Sequence, residues 1–312
     1  MSPSAPAFTN GTLPFEVPSL DKPCETWYRI YGSLSSTDNK HTPLLALHGG
    51  PGFPSDYMSI LGPALAPRPV IIYDQLGNGR STHLPETMGD TSFWTPELLL
   101  SELQNLVTGI GLDTRPGGYD VLGHSWGGML AAMHAVTKPK GLRKLVLVSA
   151  PASMPLFLQE QAKLRANLPV DVQEVLTKHE KEDTTDSKAY HEAVQVFNER
   201  HMCLITPMPE EFQRSEDWIE KDPTVYHTMN GPSEFHVIGT IKDWSIVCQI
   251  PNISVPTLLL NGRHDEATDA TMQPFFEGID KVKWVTFENS SHTAMFEAPE
   301  RFNTTVAGFL AE

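Results

Sequence analysis

Six short runs of apolar residues recur along the chain, and each ends in a loop rich in Gly, Asp, Asn or Ser. Residues 43–47 run into His48-Gly49-Gly50-Pro51-Gly52, and 70–73 into Asp74-Gln75-Leu76-Gly77. Residues 119–122 run into Gly123-His124-Ser125-Trp126-Gly127, and 145–148 into Ser149-Ala150-Pro151. Residues 257–260 run into Asn261-Gly262-Arg263-His264-Asp265, and 282–287 into Glu288-Asn289-Ser290-Ser291-His292. The runs are continuous rather than alternating, as in strands buried on both faces of a parallel sheet. Helical periodicity separates most of them, for example over 96–103, where Pro96 suits a first helical turn. This alternation predicts an α/β protein with a mostly parallel, doubly wound sheet.

Residues 153 to about 245 break the rhythm. They carry charge, Gln and Met and amphipathic stretches such as 189–201, and they lack buried-strand runs. The strand–helix rhythm resumes at Ile253. The expected organisation is a core of 1–152 and 251–312 with a helical cap, 153–250, inserted over the carboxyl ends of the strands, where open α/β sheets bind ligands.

Gly123-His124-Ser125-Trp126-Gly127 reads G-x-S-x-G between a predicted strand and the small, helix-forming stretch 127–133. Strand, sharp turn and helix make a nucleophile elbow, which lifts a serine hydroxyl clear of the sheet. The competing reading is an incidental serine in a glycine-rich turn. A serine hydroxyl needs a base and the base needs an orienting acid, in the chain order Ser, Asp or Glu, His. Asp265 and His292 follow two later strands in that order. Asp265 alone would pass for a turn or N-cap residue, and His292, one of 12 histidines, for a surface-loop residue. Asp269 competes as the acid but lies further from its strand, in the next predicted helix. An oxyanion hole is expected from the N–H groups of Trp126 and Gly50, the latter in the glycine loop after 43–47. A histidine base must be neutral to work, so activity is expected to rise with pH across a pKa near ~7.

Composition narrows the partners. The 312 residues are 40% hydrophobic, 20% charged and 9% aromatic, with a formal charge of −15. The excess of 38 acidic over 23 basic residues argues against nucleic acid and anionic membrane surfaces. Three cysteines without C-x-x-C spacing, and an N-terminus without basic and apolar signal regions, point to a reducing, cytoplasmic setting. The N-x-S/T triplets at Asn10, Asn252, Asn289 and Asn303 are then chance. No phosphate loop is present, and His191-Glu192 lacks the second histidine of a zinc H-E-x-x-H motif. Neither cofactor nor metal is expected.

The loops 48–52 and 74–81, the elbow 123–128, and the segments 230–235 and 239–244 together resemble the proline iminopeptidase family of α/β-hydrolases. The last two are similar to its tricorn-interacting aminopeptidase and L-amino-acid amidase branch. The resemblance implies an α/β-hydrolase fold and a cofactor-free serine hydrolase. Such an enzyme removes an N-terminal residue, often proline, from small peptides, amides or arylamides. It implies Ser125, Asp265 and His292 as the triad, and Glu234 as the cap residue that binds the substrate's free α-amino group. A second acidic residue usually assists, with Glu199 and Glu216 as candidates. His124 is a departure, since many members have glycine there. Two other readings use the same scaffold: an esterase, lactonase or acyltransferase of a biosynthetic pathway, and a ligand receptor with little or no turnover.

Overall fold

The computed structural model describes residues 7–34 and 41–312; Met1–Pro6, on which the signal-peptide reading rests, lie outside the described residues. Eight strands form one sheet: β1 (Phe8–Phe15), β2 (Cys24–Tyr31), β3 (Leu44–Leu47), β4 (Val70–Asp74), β5 (Tyr119–His124), β6 (Leu142–Val148), β7 (Thr257–Gly262) and β8 (Val282–Phe287). Their order is β1-β2-β4-β3-β5-β6-β7-β8. The pairs β1–β2 and β2–β4 are antiparallel and the other five are parallel, so β2 alone runs against the rest. All six strands expected from the apolar runs are present.

Alternate residues of the central strands feed two cores, as the two-residue period of a strand requires. Leu45, Leu47, Ile71, Tyr73, Val121, Leu145, Leu147 and Leu259 pack on one side. Leu44, Ala46, Val70, Ile72, Leu122, Val146, Val148, Leu258 and Leu260 pack on the other. Both faces being dry is the reason these strands read as unbroken apolar runs.

Helices cover each face. The chain gives α1 (Leu61–Ala64), α2 (Pro96–Gly109), α3 (Trp126–Val136), α4 (Met154–Ala166), α5 (Val170–Glu182), α6 (Lys188–His201), α7 (Glu210–Lys221), α8 (Thr224–Met229), α9 (Asp269–Gly278), α10 (Ala294–Glu297) and α11 (Pro299–Ala311). Helices α2, α3 and α9 supply Leu99, Leu103, Ala131, Met272 and Phe275 to the first core. Helices α1 and α11 supply Leu61, Phe302, Val306 and Phe309 to the second. Helix α2 starts as its sequence predicts: Thr95 Oγ1 accepts the Leu98 N–H at 3.2 Å, and Pro96 occupies the first turn.

Helices α4 to α8 all fall between β6 and β7. They carry a small hydrophobic cluster of their own, with Leu168, Leu176, Tyr190, Ala193 and Phe197 packed around Phe235. Strands β3 and β5 are neighbours in the sheet, yet the chain leaves β3 for β4 on its other side. The carboxyl ends of β3 and β5 therefore face a topological switch point, the place where open α/β sheets bind ligands.

Candidate active site

Ser125 follows β5 directly and sits at φ 55°, ψ −125°, a strained conformation for a non-glycine residue. Its neighbours make that turn possible. A Cβ on Gly123 would lie 2.1 Å from the Gly127 carbonyl oxygen, and one on Gly127 would lie 2.2 Å from that of Leu47. Strand, elbow and α3 thus approach closely only because both positions lack a side chain. The Ser125 N–H donates to the Val148 carbonyl at 2.9 Å, which ties the elbow to β6.

The loop after β3 lies alongside. Gly49 would bring a Cβ to 3.2 Å from that of Ser125. Gly50 takes φ +106°, open to glycine and strained for other residues. Neighbouring groups fix this loop. Gln75 donates its N–H to His48 Nε2 at 3.0 Å and its amide Nε2 to the His48 carbonyl at 3.3 Å, while Gln75 Oε1 accepts the Trp126 indole N–H at 2.9 Å. Burial lowers the pKa of His48, in keeping with a neutral ring that accepts at Nε2. Trp126 is the first residue of α3, so its backbone N–H has no partner within the helix.

His292 follows β8 and is 2% exposed. Its Nδ1 lies 2.8 Å from Asp265 Oδ1. Asp265 is itself fixed by the N–H groups of Ala267 at 2.7 Å and Gly262 at 3.3 Å. Asp269, the competing acid, starts α9 instead. Its carboxylate is 48% exposed and takes hydrogen bonds from Asn261 and Arg263.

His124 and Tyr57 join the two halves of the site. His124 Nε2 is 2.9 Å from the His292 carbonyl, which can only accept, so Nε2 carries the proton. Nδ1 is then an acceptor, and the Tyr57 hydroxyl donates to it at 2.8 Å. The same hydroxyl accepts the Gly49 N–H at 2.7 Å. Burial, with the nearby charge of His292, holds the His124 pKa well below that of a free imidazole, as a neutral ring in this chain of bonds requires.

Ser125, Gly50, Tyr57, His124, His292 and Glu234 line one cavity of about 240 Å³. Phe53, Met202, Met208 and Phe212 give it apolar walls. Glu234 reaches it from a compact loop after α8, not from a helix start. Asn230 Nδ2 donates to the Ser233 carbonyl at 3.2 Å, and Ser233 Oγ is 3.0 Å from the Tyr190 hydroxyl. The Tyr226 hydroxyl donates to Glu234 Oε1 at 2.7 Å.

A second carboxylate, which sequence reasoning missed, stands close by. Glu266 directly follows Asp265 and is 1% exposed. Its Oε1 is 3.6 Å from His292 Nε2, and its Oε2 is buried without a hydrogen-bond partner. Consecutive acids at one strand end were the available signal: one turns to Nδ1 of the ring and the next to Nε2. Of the two acids considered from the sequence, Glu199 is exposed and bonded to Gln195, and Glu216 lines the cavity.

Charge dominates this corner. Burial favours neutral His292, but Asp265, Glu266 and Glu234 outweigh it and raise its pKa to about 9. That lies above the value near 7 expected for the proposed base. Burial raises the pKa of Glu234 and Glu266, the latter well above the ordinary carboxylate range. Among the described residues neither carboxylate pairs with Lys or Arg.

The fold and this cavity define an α/β hydrolase. The α/β hydrolase fold family matches residues 42–299, and the chain belongs to it. Within that class it belongs to the proline iminopeptidase family. It is 37% identical over 277 residues to a proline iminopeptidase of Heyndrickxia coagulans, covering 86% of this chain and 90% of the relative. It is 35% identical to one of Saccharolobus solfataricus, covering 91% and 88%. Among solved structures, VinJ is 49% identical with a TM-score of 0.90, over 97% of this chain and 98% of that one. A proline iminopeptidase of Mycobacterium smegmatis is 41% identical with a TM-score of 0.83, over 96% and 97%. An enol-lactonase of Burkholderia xenovorans LB400, 19% identical with a TM-score of 0.66, shares the fold.

Proposed function

We propose that this enzyme is a serine aminopeptidase that releases an N-terminal residue, proline or another small or apolar amino acid, from short peptides or amino-acid amides. The observation that carries the reading is the pair of carboxyl groups, Glu234 and Glu266, beside the proposed triad, with no Lys or Arg paired to either among the described residues. Buried charge without a partner is costly, and a substrate that brings its own cation relieves it. A free α-amine is such a cation below its pKa of about 8. Glu234, which lines the cavity, therefore binds the α-ammonium directly, and Glu266, 3.6 Å from His292 Nε2, stands beside the same ring.

The chemistry follows from the geometry. His292 accepts the Ser125 Oγ proton while Oγ attacks the scissile carbonyl. Asp265 holds the ring through Nδ1. The N–H groups of Gly50 and Trp126 stabilise the oxyanion, and His292 returns the proton to the leaving amine. The acyl-enzyme that remains is hydrolysed by water in the reverse sequence of proton transfers. The apolar walls at Phe53, Met202, Met208 and Phe212 suit an apolar acyl side chain. The division into core segments 1–152 and 251–312 with a cap at 153–250 fits this picture, since the cap supplies Glu234. Three unpaired cysteines support a reducing, cytoplasmic compartment.

The test is a panel of aminoacyl arylamides set against simple aryl esters. Cleavage of arylamides with a free amine, at kcat/KM above that of the esters, is the expected result. Ester cleavage without arylamide cleavage would assign the protein to esterase, lactonase or acyltransferase chemistry instead.

A further inference from the structure

Three carboxyl groups crowd the candidate base. His292 receives Asp265 on Nδ1 at 2.8 Å and Glu266 near Nε2 at 3.6 Å, both from the loop after β7. Glu234 faces the same ring from the cap loop, with the Tyr226 hydroxyl of α8 bonded to it. From the end of β5 comes His124, which is neutral, and from α6 comes His201, whose ring is turned to the His264 carbonyl at 2.9 Å. Among the described residues, the ion pairs and charges around the ring thus include no Lys or Arg. Against the three acids Asp265, Glu266 and Glu234, the imidazolium of His292 is the one cation this cluster can form. An imidazolium cannot accept a proton from Ser125. The nitrogen it would use, Nε2, carries the proton that faces Glu266.

Resting on the aminopeptidase reading, we propose that Glu234 and Glu266 hold His292 as an idle imidazolium in the resting protein, and that the substrate's α-ammonium, by supplying that positive charge itself, releases the base to Ser125. The exchange balances. One ammonium enters with its charge, one proton leaves Nε2 for solvent, and the cluster keeps the same net charge. Neutral His292 then takes the Oγ proton as Oγ attacks. Selection for a free amine thereby acts in the chemical step as well as in binding. A substrate without the amine reaches a site whose base is still protonated.

Two pH profiles of the intact enzyme test this. Phosphonylation of Ser125 by a neutral fluorophosphonate reports the base with no ammonium bound, and its rate should climb with pH through about 9. The kcat for an aminoacyl arylamide reports the base with the ammonium in place, and its acid limb should lie at least about one pH unit lower. Coincident limbs would overturn the proposal. Glu266→Gln supplies a second readout. It keeps the shape and removes one charge, so the acid limb of phosphonylation should move down and the rate near pH 7 should become roughly tenfold faster. Arylamide kcat/KM should fall in the same variant. A merely structural role for Glu266 predicts loss on both, and that outcome would also overturn the proposal. The two readings fail separately. Wild-type cleavage that requires a free amine, together with coincident limbs, removes the charge exchange and leaves the aminopeptidase. Wild-type indifference to the amine removes both.

Discussion

Tyr57→Phe deletes one oxygen and keeps the ring. That oxygen accepts the Gly49 N–H at 2.7 Å and donates to His124 Nδ1 at 2.8 Å. Both partners are buried, and leaving a buried donor or acceptor unmet costs about 1–3 kcal/mol each, so the pair amounts to ~2–6 kcal/mol. Tyr57 and His124 also line the cavity, and water entering from it would satisfy part of the loss. The expected destabilisation is therefore about 2–3 kcal/mol, a large share of the ~5–15 kcal/mol that holds a typical domain. At roughly 2–4 °C per kcal/mol this lowers Tm by about 4–12 °C. The catalytic effect comes through the glycine loop. Gly49 is anchored by the lost bond and Gly50 is the proposed oxyanion donor next to it. A donor displaced by a fraction of an ångström loses transition-state stabilisation, so kcat should fall by about 10- to 100-fold with KM little changed. The assay is thermal unfolding together with steady-state turnover of one arylamide, well below the melting range. If Tm and kcat both matched wild type, Tyr57 would not be fixing the oxyanion loop and the assignment of the His124–Tyr57–Gly49 chain would be wrong.

Other substitutions separate the remaining roles. Ser125→Ala should lower kcat by several orders of magnitude with the fold intact, and a serine-directed phosphonate should add once to wild type, at Ser125, by mass spectrometry. Asp265→Asn should cost about 10⁴-fold in kcat by stranding the wrong tautomer of His292, whereas Asp269→Asn should leave kcat near wild type; the opposite ranking in steady-state kinetics would reassign the acid. Hydrolysis of an amine-free aryl ester should rise about tenfold per pH unit below the His292 pKa of about 9, because the raised value keeps the base protonated at neutral pH; a plateau already near pH 7 would contradict the charge cluster. Glu234→Gln should lower kcat/KM for free-amine substrates by roughly 2–5 kcal/mol and, by removing one charge that faces His292, leave that for an aryl ester undiminished or faster at neutral pH; equal losses on both would make Glu234 a support for the cap.

The parallel half of the fold is legible because burial on both faces leaves unbroken apolar runs, as in Leu44–Leu47 and Val70–Asp74. Strands β1 and β2 are not, because the edge strand β1 is mostly exposed and β2 breaks its buried positions with exposed Glu25 and half-buried Tyr28, Arg29 and Ile30. Nothing in Phe8–Phe15, which includes Gly11 and Pro14, marks a strand until its partner is known. The proposed triad is legible because each member follows a strand, and strand ends meet at one edge of the sheet. Glu266 and Tyr57 are not, for a different reason. Each acquires its role through a contact with a residue distant in sequence, Glu266 with His292 and Tyr57 with His124. The titration of the base is hidden from the sequence on the same account: three carboxylates converge on it, and spacing along the chain shows only one of them as its partner.

The central claim is that the site is built for a substrate with a free α-amine. The most direct measurement compares kcat/KM of the wild-type enzyme for one aminoacyl arylamide and for its N-acetyl derivative. Acetylation removes the cation and leaves the scissile bond and the side chain unchanged. The expected result is a loss of about 30-fold or more, the lower end of breaking a buried charge pair worth roughly 2–5 kcal/mol. Equal kcat/KM for the two compounds would contradict it.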